Sequence, residues 1–235
     1  MQMQQLNETG WAKTYLIYDQ ITSKAAIIDP VYDFVQHYLA TIETMGLCLE
    51  MCIATHTHAD HITGCFTIAE STGCEYVMWH STPSLGVTKY VNEASKLQIG
   101  NEPISFYHVP GHTEDSMLVV TSNHVFTGDF LFTGDGGAGR DDLPSGRMKA
   151  HFDSLKVMAK LDDELLVCTG HEAPGVEFQT LSWNRANNPV LKMVNFSEYE
   201  EWQKNTTAQL GYVSKIKVAL PANLFGEIPD EIPWL

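Results

Sequence analysis

The feature that most limits what this sequence can fold into is the run THTHADH, which follows the apolar segment MCIA (51–54). That segment predicts a buried strand. His56 and His58 are two residues apart, so their imidazoles project to the same side of an extended chain, and Asp60 and His61 follow where the chain must turn. Four potential ligands within six residues at the end of a strand predict a metal site.

Three further segments place a ligand-type side chain just past a predicted strand. His112 lies in VPGHTED, Asp129 in FTGDF and His171 in CTGHEAP. Strand ends that meet at one edge of a sheet are where layered α/β proteins place their sites, so we expect these side chains to join the first four. The remaining histidines lie within helix or strand patterns and are expected to be structural or surface residues: His37, His80, His108, His124 and His151.

Short apolar runs alternate with helix-like segments along the chain, which predicts a single layered α/β domain over residues 1–235. Strands are predicted at 14–18, 25–29, 51–54, 75–79, 104–109, 117–121, 124–128 and 165–170. Helices are predicted at 33–45, 62–72, 147–160 and 188–204. The tail from Gly211 is Pro-rich and is predicted to be loop with one strand.

Composition excludes several functional classes. The chain carries 14 Lys+Arg against 29 Asp+Glu, a formal net charge of −15. Such a chain has no general attraction for nucleic acid or for an anionic membrane surface, so an anionic ligand must meet a local positive site such as a metal. No stretch approaches the roughly 20 apolar residues of a membrane-spanning helix, and the N-terminus lacks a hydrophobic signal core.

The cysteines show no paired spacing of the zinc-ribbon or CxxC kind. They are Cys48, Cys52, Cys65, Cys74 and Cys168. Most lie in apolar runs, which predicts small buried thiols in a reducing compartment, and a cytoplasmic location is therefore expected.

The pattern HxHxDH followed by separated His, Asp and His resembles that of the metallo-β-lactamase superfamily. THTHADHITG, the PGHT and TGD turns and GAGRDD (137–142) are similar to its glutathione-linked branch, and NRANNPVL (184–191) resembles a segment shared by hydroxyacylglutathione hydrolases (glyoxalase II) and persulfide dioxygenases. The resemblance implies an αββα four-layer sandwich with the metal site along one edge of two facing sheets. Asp129 stands where class B β-lactamases typically have a cysteine, which argues against antibiotic hydrolysis.

Two features resemble the persulfide dioxygenases more than glyoxalase II: the segment VALPANL (218–224) and the acid that follows GAGR, Asp142. This resemblance implies one Fe(II) per chain, held by His56, His112 and Asp129, with positions left for dioxygen and a substrate sulfur. The substrate would be glutathione persulfide or a similar persulfide, oxidised to sulfite and thiol. The groups left to orient ligands and pass protons would be His58, Asp60, His61 and His171. The expected catalytic residues are His56, His112, Asp129 and Asp60.

The resemblance to glyoxalase II implies an alternative, a hydrolase of glutathione thioesters with two Zn(II) per chain and a metal-activated water. The two zinc sites would be His56, His58 and His112, and Asp60, His61 and His171, with Asp129 as the bridge. Ligand spacing fits both interpretations. A third interpretation, a metal-binding sensor or scaffold, is disfavoured because the ligand set is complete.

Arg140 is the cation expected to matter for substrate. It either binds a glutathione carboxylate at the rim of the pocket or pairs with Asp142 and braces the loop. The loop 130–136 is longer than is usual in the family, and Ala138 stands where a cysteine is common; both departures should lie beside the substrate pocket. A homodimer is compatible with the sequence.

Overall fold

Two six-stranded sheets face each other in the computed structural model, which describes residues 1–7 and 12–235. In both sheets, neighbours in space are neighbours along the chain. The first sheet contains β1 (Gln2–Gln5), β2 (Tyr15–Asp19), β3 (Lys24–Ile28), β4 (Cys48–Ile53), β5 (Glu75–Trp79) and β6 (Lys89–Val91). The second contains β7 (Leu97–Ile99), β8 (Glu102–His108), β9 (Met117–Val120), β10 (His124–Gly128), β11 (Leu166–Thr169) and β12 (Gln179–Thr180).

Helices flank the sheets: those within residues 35–72 pack on the outer face of the first sheet and those within residues 148–210 on that of the second. They are α1 (Val35–Thr44), α2 (Cys65–Thr72), α3 (Met148–Met158), α4 (Leu181–Asn187), α5 (Pro189–Lys192), α6 (Phe196–Leu210) and α7 (Ile216–Phe225). Within the part of the chain that the structure describes, no helix is long and apolar enough to cross a membrane.

Successive side chains of a strand point to opposite faces of its sheet, so each sheet can pack against the other sheet on one face and against helices on the other. In β2, Tyr15 and Ile17 join the core between the two sheets, where they meet Phe126 of β10. Leu16, between them in sequence, joins a second core with Tyr38 of α1. A third core lies between the second sheet and helices α3 to α6. The αββα sandwich predicted from the family resemblance is confirmed.

The C-terminal tail differs from its prediction. The sequence predicts a loop with one strand after Gly211, whereas the structure has the helix α7, so this prediction is wrong. Pro221 lies inside α7, where proline removes a backbone donor and normally weakens a helix. The helix forms because Ala219 and Ala222 are buried against Ile62, and that packing outweighs the local preference.

The single helix predicted at 188–204 is also wrong in detail, because the structure divides it into α5 and α6. Asn188 caps α5 by accepting from the Val190 amide at 3.0 Å. Asn195 caps α6 by accepting from the Glu198 amide at 3.0 Å. Two asparagine caps so close together start two helices in place of one.

Candidate metal centre

Strand direction brings the predicted ligands to one edge of the sandwich. β4 leads into the loop 55–61, while β8, β10 and β11 share one direction and precede His112, Asp129 and His171 respectively. A backbone hydrogen bond from Met117 N to Thr55 O, 2.9 Å, joins the two sheets there. The ligand atoms form three groups whose members lie within 4.8 Å of one another: His56, His112 and Asp129; His58, Asp60 and His61; and Asp60, Asp129 and His171.

Thr55 determines which nitrogen of His56 carries the proton. The Thr55 hydroxyl donates to Asp29 Oδ2 at 2.7 Å, because carboxylate oxygens only accept. The same hydroxyl oxygen must therefore accept from His56 Nδ1, 3.0 Å away. Burial and the neighbouring histidines hold the pKa of His56 well below its usual value. The ring is thus neutral, with the lone pair of Nε2 available to a metal.

His112 and His61 are fixed in the same tautomer by different partners. His112 Nδ1 donates to the carbonyl oxygen of Arg140 at 2.6 Å, and His61 Nδ1 lies 3.0 Å from Asp60 Oδ2. Burial lowers the pKa of both histidines, which keeps them neutral. Each presents Nε2 to the site, and that of His112 lies 3.6 Å from Asp129 Oδ2.

Asp29 is a site residue that the sequence did not single out. It follows β3, precedes Pro30 and has a φ of 49°, a conformation uncommon outside glycine. Its Oδ1 accepts from the Thr55 amide at 2.7 Å and lies 3.3 Å from His58 Nε2. The carboxylate therefore holds the ligand loop at Thr55 and at His58, and the uncommon backbone conformation that places it is of the kind found at functional sites. Its signal in the sequence was an aspartate before proline at a strand end.

His171 lies between two carboxylates. Its Nδ1 is 2.7 Å from Asp129 Oδ1, and its Nε2 is 2.9 Å from Asp60 Oδ2. Burial disfavours a charged ring, but the two carboxylates outweigh burial and raise the pKa of His171 well above its usual value. With both nitrogens donating, the ring is an imidazolium, so a cation that coordinates it must displace a proton.

The residues of the centre fit a bound transition metal. His56 Nε2, His58 Nδ1 and His61 Nε2 are buried and have no hydrogen-bond partner among the described residues. A buried nitrogen without a partner is costly unless another ligand satisfies it. Imidazoles mixed with carboxylates are the donors that iron and zinc take in proteins.

Asn223 is a second residue that sequence reasoning missed, although the segment VALPANL was noted. It lies on α7 and is buried. Its Nδ2 donates to the carbonyls of His58 and His61, both at 2.9 Å, and its Oδ1 accepts from the Thr63 amide at 2.9 Å. The helix that the sequence did not predict therefore holds the turn of the ligand loop.

A cavity of about 590 Å³ opens onto the centre, a volume typical of small-molecule sites. Asp60, His112, Asp129 and His171 line its floor. Its walls include Phe132, Gly136, Ala138, Arg140, Tyr212 and Lys215. Both departures from the family pattern, the loop 130–136 and Ala138, therefore border this cavity.

Arg140 is engaged by its neighbours. Its Nε and Nη2 donate to the two carboxylate oxygens of Asp142 at 2.7 and 2.8 Å, and its Nη1 donates to the Gly211 carbonyl at 2.9 Å. The bidentate pair lies within the loop that follows Asp129, and the bond to Gly211 joins this loop to the start of the segment before α7.

A family model described as the metallo-beta-lactamase superfamily matches residues 13–171, which include all seven predicted ligands. The chain belongs to the metallo-β-lactamase superfamily.

Relatives in this superfamily carry different names. A persulfide dioxygenase ETHE1 of Bos taurus is 29% identical, over 90% of this chain and 82% of its own length. A beta-lactamase hydrolase-like protein of Agrobacterium fabrum is 27% identical over 92% of this chain, which spans 58% of that relative's length. A hydroxyacylglutathione hydrolase of Rhodospirillum rubrum is 32% identical, over 70% of this chain and 64% of its own length.

A solved structure agrees in fold along almost the whole chain. The crystal structure of ETHE1 from Myxococcus xanthus superposes with a TM-score of 0.87 and 31% identity, and covers 95% of this chain and 98% of that one. The resemblance to a branch that contains both persulfide dioxygenases and glyoxalase II is confirmed.

Asp141, beside Arg140 in this metallo-β-lactamase fold, is a buried carboxyl 4.0 Å from His151 Nδ1, and burial lowers the pKa of that histidine to about 3, so the ring is neutral. Both of its carboxylate oxygens lack a hydrogen-bond partner among the described residues. Burial, reinforced by the charge of Asp142, raises the pKa of Asp141 from 3.8 to about 6. Because the folded state holds this proton more tightly than the unfolded state, ionisation of Asp141 destabilises the fold as the pH rises from about 4 to above 6.

We expect Asp141→Asn to stabilise the metal-free protein by about 3 kcal/mol at pH 8, at about 1.4 kcal/mol per pKa unit. The gain should shrink as the pH falls through 6 towards 4, where the wild-type carboxyl is protonated too. Urea unfolding at pH 5 and pH 8 measures the difference, with the exposed Asp135→Asn as control. A gain that does not depend on pH would contradict the assignment.

Proposed function

We propose that this chain is an iron(II)-dependent dioxygenase that oxidises glutathione persulfide, or a similar low-molecular-weight persulfide, to sulfite and the thiol. The grouping of the ligand atoms carries the proposal. His56, His112 and Asp129 form one buried group of two imidazoles and a carboxylate. Two histidines and one carboxylate with open positions are the donors that non-haem iron(II) oxygenases use.

The position of His58 supports one metal over two. A dinuclear site would use His58 together with His56 and His112, but its ligand nitrogens group with Asp60 and His61 instead. Its Nε2 faces Asp29 at 3.3 Å. These contacts suit a residue that orients the ligand loop.

Iron(II) bound there would supply adjacent positions where dioxygen and the persulfide sulfur meet. The balanced reaction is RSSH + O2 + H2O → RSH + SO3²⁻ + 2 H⁺, so protons must leave the site. Asp60, whose Oδ2 lies 2.9 Å from His171 Nε2, lines the cavity, and its carboxylate can take up a proton beside the reacting sulfur. The apolar wall residues Phe132, Ala138 and Leu210 limit the access of water to it.

A dinuclear zinc hydrolase of glutathione thioesters is the second candidate, and a specific observation favours it. His58 Nδ1 and His61 Nε2 are buried without partners, close to Asp60. Two metals would satisfy both nitrogens, that of His58 at the first site and that of His61 at the second. The similarity to a hydroxyacylglutathione hydrolase supports the same alternative.

The deciding experiment combines metal content with two assays. Protein purified without added metal is analysed for iron and zinc, then given glutathione persulfide in an oxygen electrode and a glutathione thioester without oxygen. About one iron per chain and uptake of one O2 per persulfide support the dioxygenase. Thioester hydrolysis with two metals per chain and no oxygen uptake would replace it with the hydrolase. Metal-stripped protein is the blank.

Lys215 is the cation that we propose for the carboxylate of the substrate. The cavity lining described by the structure contains two permanently cationic side chains, Arg140 and Lys215. Arg140 already forms a bidentate pair with Asp142. Lys215 Nζ lies 4.6 Å from the ring centroid of Trp234 and makes no ion pair with a described carboxylate. In a chain of net charge −15, this is the cation still available to an anionic substrate.

We expect Lys215→Gln to raise KM for glutathione persulfide about 5–10-fold, the value of one charge-assisted contact of roughly 1–1.4 kcal/mol. The metal content and kcat should stay near their starting values, since the contact holds ground state and transition state alike. Steady-state oxygen uptake measures both constants.

Lys217→Gln is the matched control, because Lys217 is exposed and does not line the cavity. For a persulfide without carboxylates, the KM of Lys215→Gln should be close to that of the wild type. An unchanged KM for glutathione persulfide would remove Lys215 from the substrate site.

A further inference from the structure

The backbone of Gly139 and Arg140 reaches the metal centre although neither side chain coordinates it. The Arg140 carbonyl accepts from His112 Nδ1 at 2.6 Å and so leaves His112 Nε2 free to bind a metal. A displacement of this carbonyl would release the ring to rotate or to move its proton to Nε2. The ligand quality of His112 therefore depends on where one peptide group lies.

Gly139 lies too close to the ligands for any side chain. A Cβ atom there would be 1.9 Å from the Asp129 carbonyl oxygen and 3.2 Å from His112 Nδ1. The Gly139–Arg140 backbone is thus pressed against two of the three residues proposed to bind iron. A small shift of this segment would move both contacts.

Within the part of the chain that the structure describes, backbone hydrogen bonds do not hold the segment 138–142 in position. Among the described residues, positions 138–142 make no hydrogen bond between backbone groups. The Gly139 carbonyl instead accepts from Gln203 Nε2 at 2.7 Å. Gln203 lies on α6, 64 residues further along the chain, and is fully buried.

Gln203 is an unusual residue for its position. Its neighbours on the inner face of α6, Tyr199 and Trp202, pack in the apolar core against the second sheet. Its Oε1 has no hydrogen-bond partner among the described residues, so the amide is only partly satisfied. An apolar side chain of the same size would avoid that cost, which indicates that the amide serves its polar contacts, the hydrogen bond to Gly139 and the approach to Asp141.

We propose that Gln203 is a positioning residue of the metal centre. It holds the Gly139 carbonyl, which places the Arg140 carbonyl, which in turn keeps His112 in the tautomer with Nε2 unprotonated. The inference rests on the metal-binding part of the proposed function and applies to the dioxygenase and the hydrolase alike.

The test replaces Gln203 by methionine, which keeps the length of the side chain and removes the donor. We expect Gln203→Met to weaken Zn(II) binding by about 10–100-fold, the usual effect of losing a group that orients a ligand. Chelator competition on the metal-free protein measures this constant. The exposed Gln209→Met, on the same helix, is the matched control and should bind Zn(II) as the wild type does.

Long-range proton–nitrogen NMR of the histidine rings supplies a readout that general destabilisation would not move. In the metal-free wild type, His112 should carry its proton on Nδ1, and in Gln203→Met it should become a mixture of tautomers. Gln203→Glu, which lacks the amide donor at neutral pH, should repeat both effects. An unchanged Zn(II) constant and tautomer in a folded variant would overturn the proposal.

The wild type alone also tests the idea if both variants fail to fold, since an Nε2-protonated His112 in it would overturn the proposal. Failure of the proposed function is distinguishable. A wild type that binds metal with the expected tautomer but oxidises no persulfide would reject the dioxygenase and leave the role of Gln203 intact.

Discussion

Replacing His112 by alanine is expected to remove both metal retention and activity while the fold survives. His112 belongs to the ligand set under both metal interpretations, and its nitrogens serve only the centre and the Arg140 carbonyl. Since the loss of a group that merely orients a ligand already costs about 10–100-fold, the loss of a ligand should cost more than about 100-fold in metal affinity. Metal analysis after dialysis and the oxygen-uptake rate measure the two losses.

The fold should survive this change because His112 lies in a turn at the edge of the sandwich, outside the apolar cores. The free energy of unfolding of the metal-free protein should fall by only about 1 kcal/mol, the value of one hydrogen bond. His80→Ala is the control, because His80 is exposed and outside every ligand group. Near-normal activity with full metal in His112→Ala would show that the site is assigned wrongly.

His58→Ala should separate the two chemistries. If one iron is held by His56, His112 and Asp129, the variant should retain most of its iron and lose about 10–100-fold in rate, because His58 then acts through the loop that it orients. If two metals are present, a direct ligand is gone and about half of the metal should leave. Metal content and rate, measured on the same preparation, distinguish these outcomes.

If His58 orients the ligand loop, it does so through its contact with Asp29, whose Oδ1 lies 3.3 Å from His58 Nε2. Asp29→Asn keeps the size of that side chain and removes its charge, so it should lower the rate in the same direction as His58→Ala. Loss of about half the metal in His58→Ala would end the mononuclear interpretation.

Local sequence rules were sufficient to select the candidate ligands that the structure brings together. Each ligand lies just past a short apolar strand, and His56 and His58 share one side of an extended chain because side chains alternate. These relations join residues only a few positions apart, so the order of residues expresses them directly. The same rules predict a layered α/β domain, whereas the αββα arrangement was implied by the family resemblance; the alternation of Tyr15, Leu16 and Ile17 between two cores agrees with it.

Packing between distant segments decided the tail of the chain. Pro221 and the residues around it favour a loop when they are considered alone. Burial of Ala219 and Ala222 makes them a helix, which then places Asn223 against the carbonyls of His58 and His61, more than 160 residues away. Local propensity is worth less than this burial, and the sequence does not state which surfaces meet.

For the candidate ligands, too, the sequence determined some properties and the tertiary structure determined others. The sequence by itself determined the type of each donor, and hence the prediction of a metal site at the strand ends. The tertiary structure decided which donors form a group, which nitrogen of His56, His61 and His112 is free, and that Arg140 is held by Asp142 while Lys215 forms no ion pair with a described carboxylate. These properties depend on distances of about 3 Å between groups far apart in the chain, such as Gln203 and Gly139, and such distances exist only after the chain has folded.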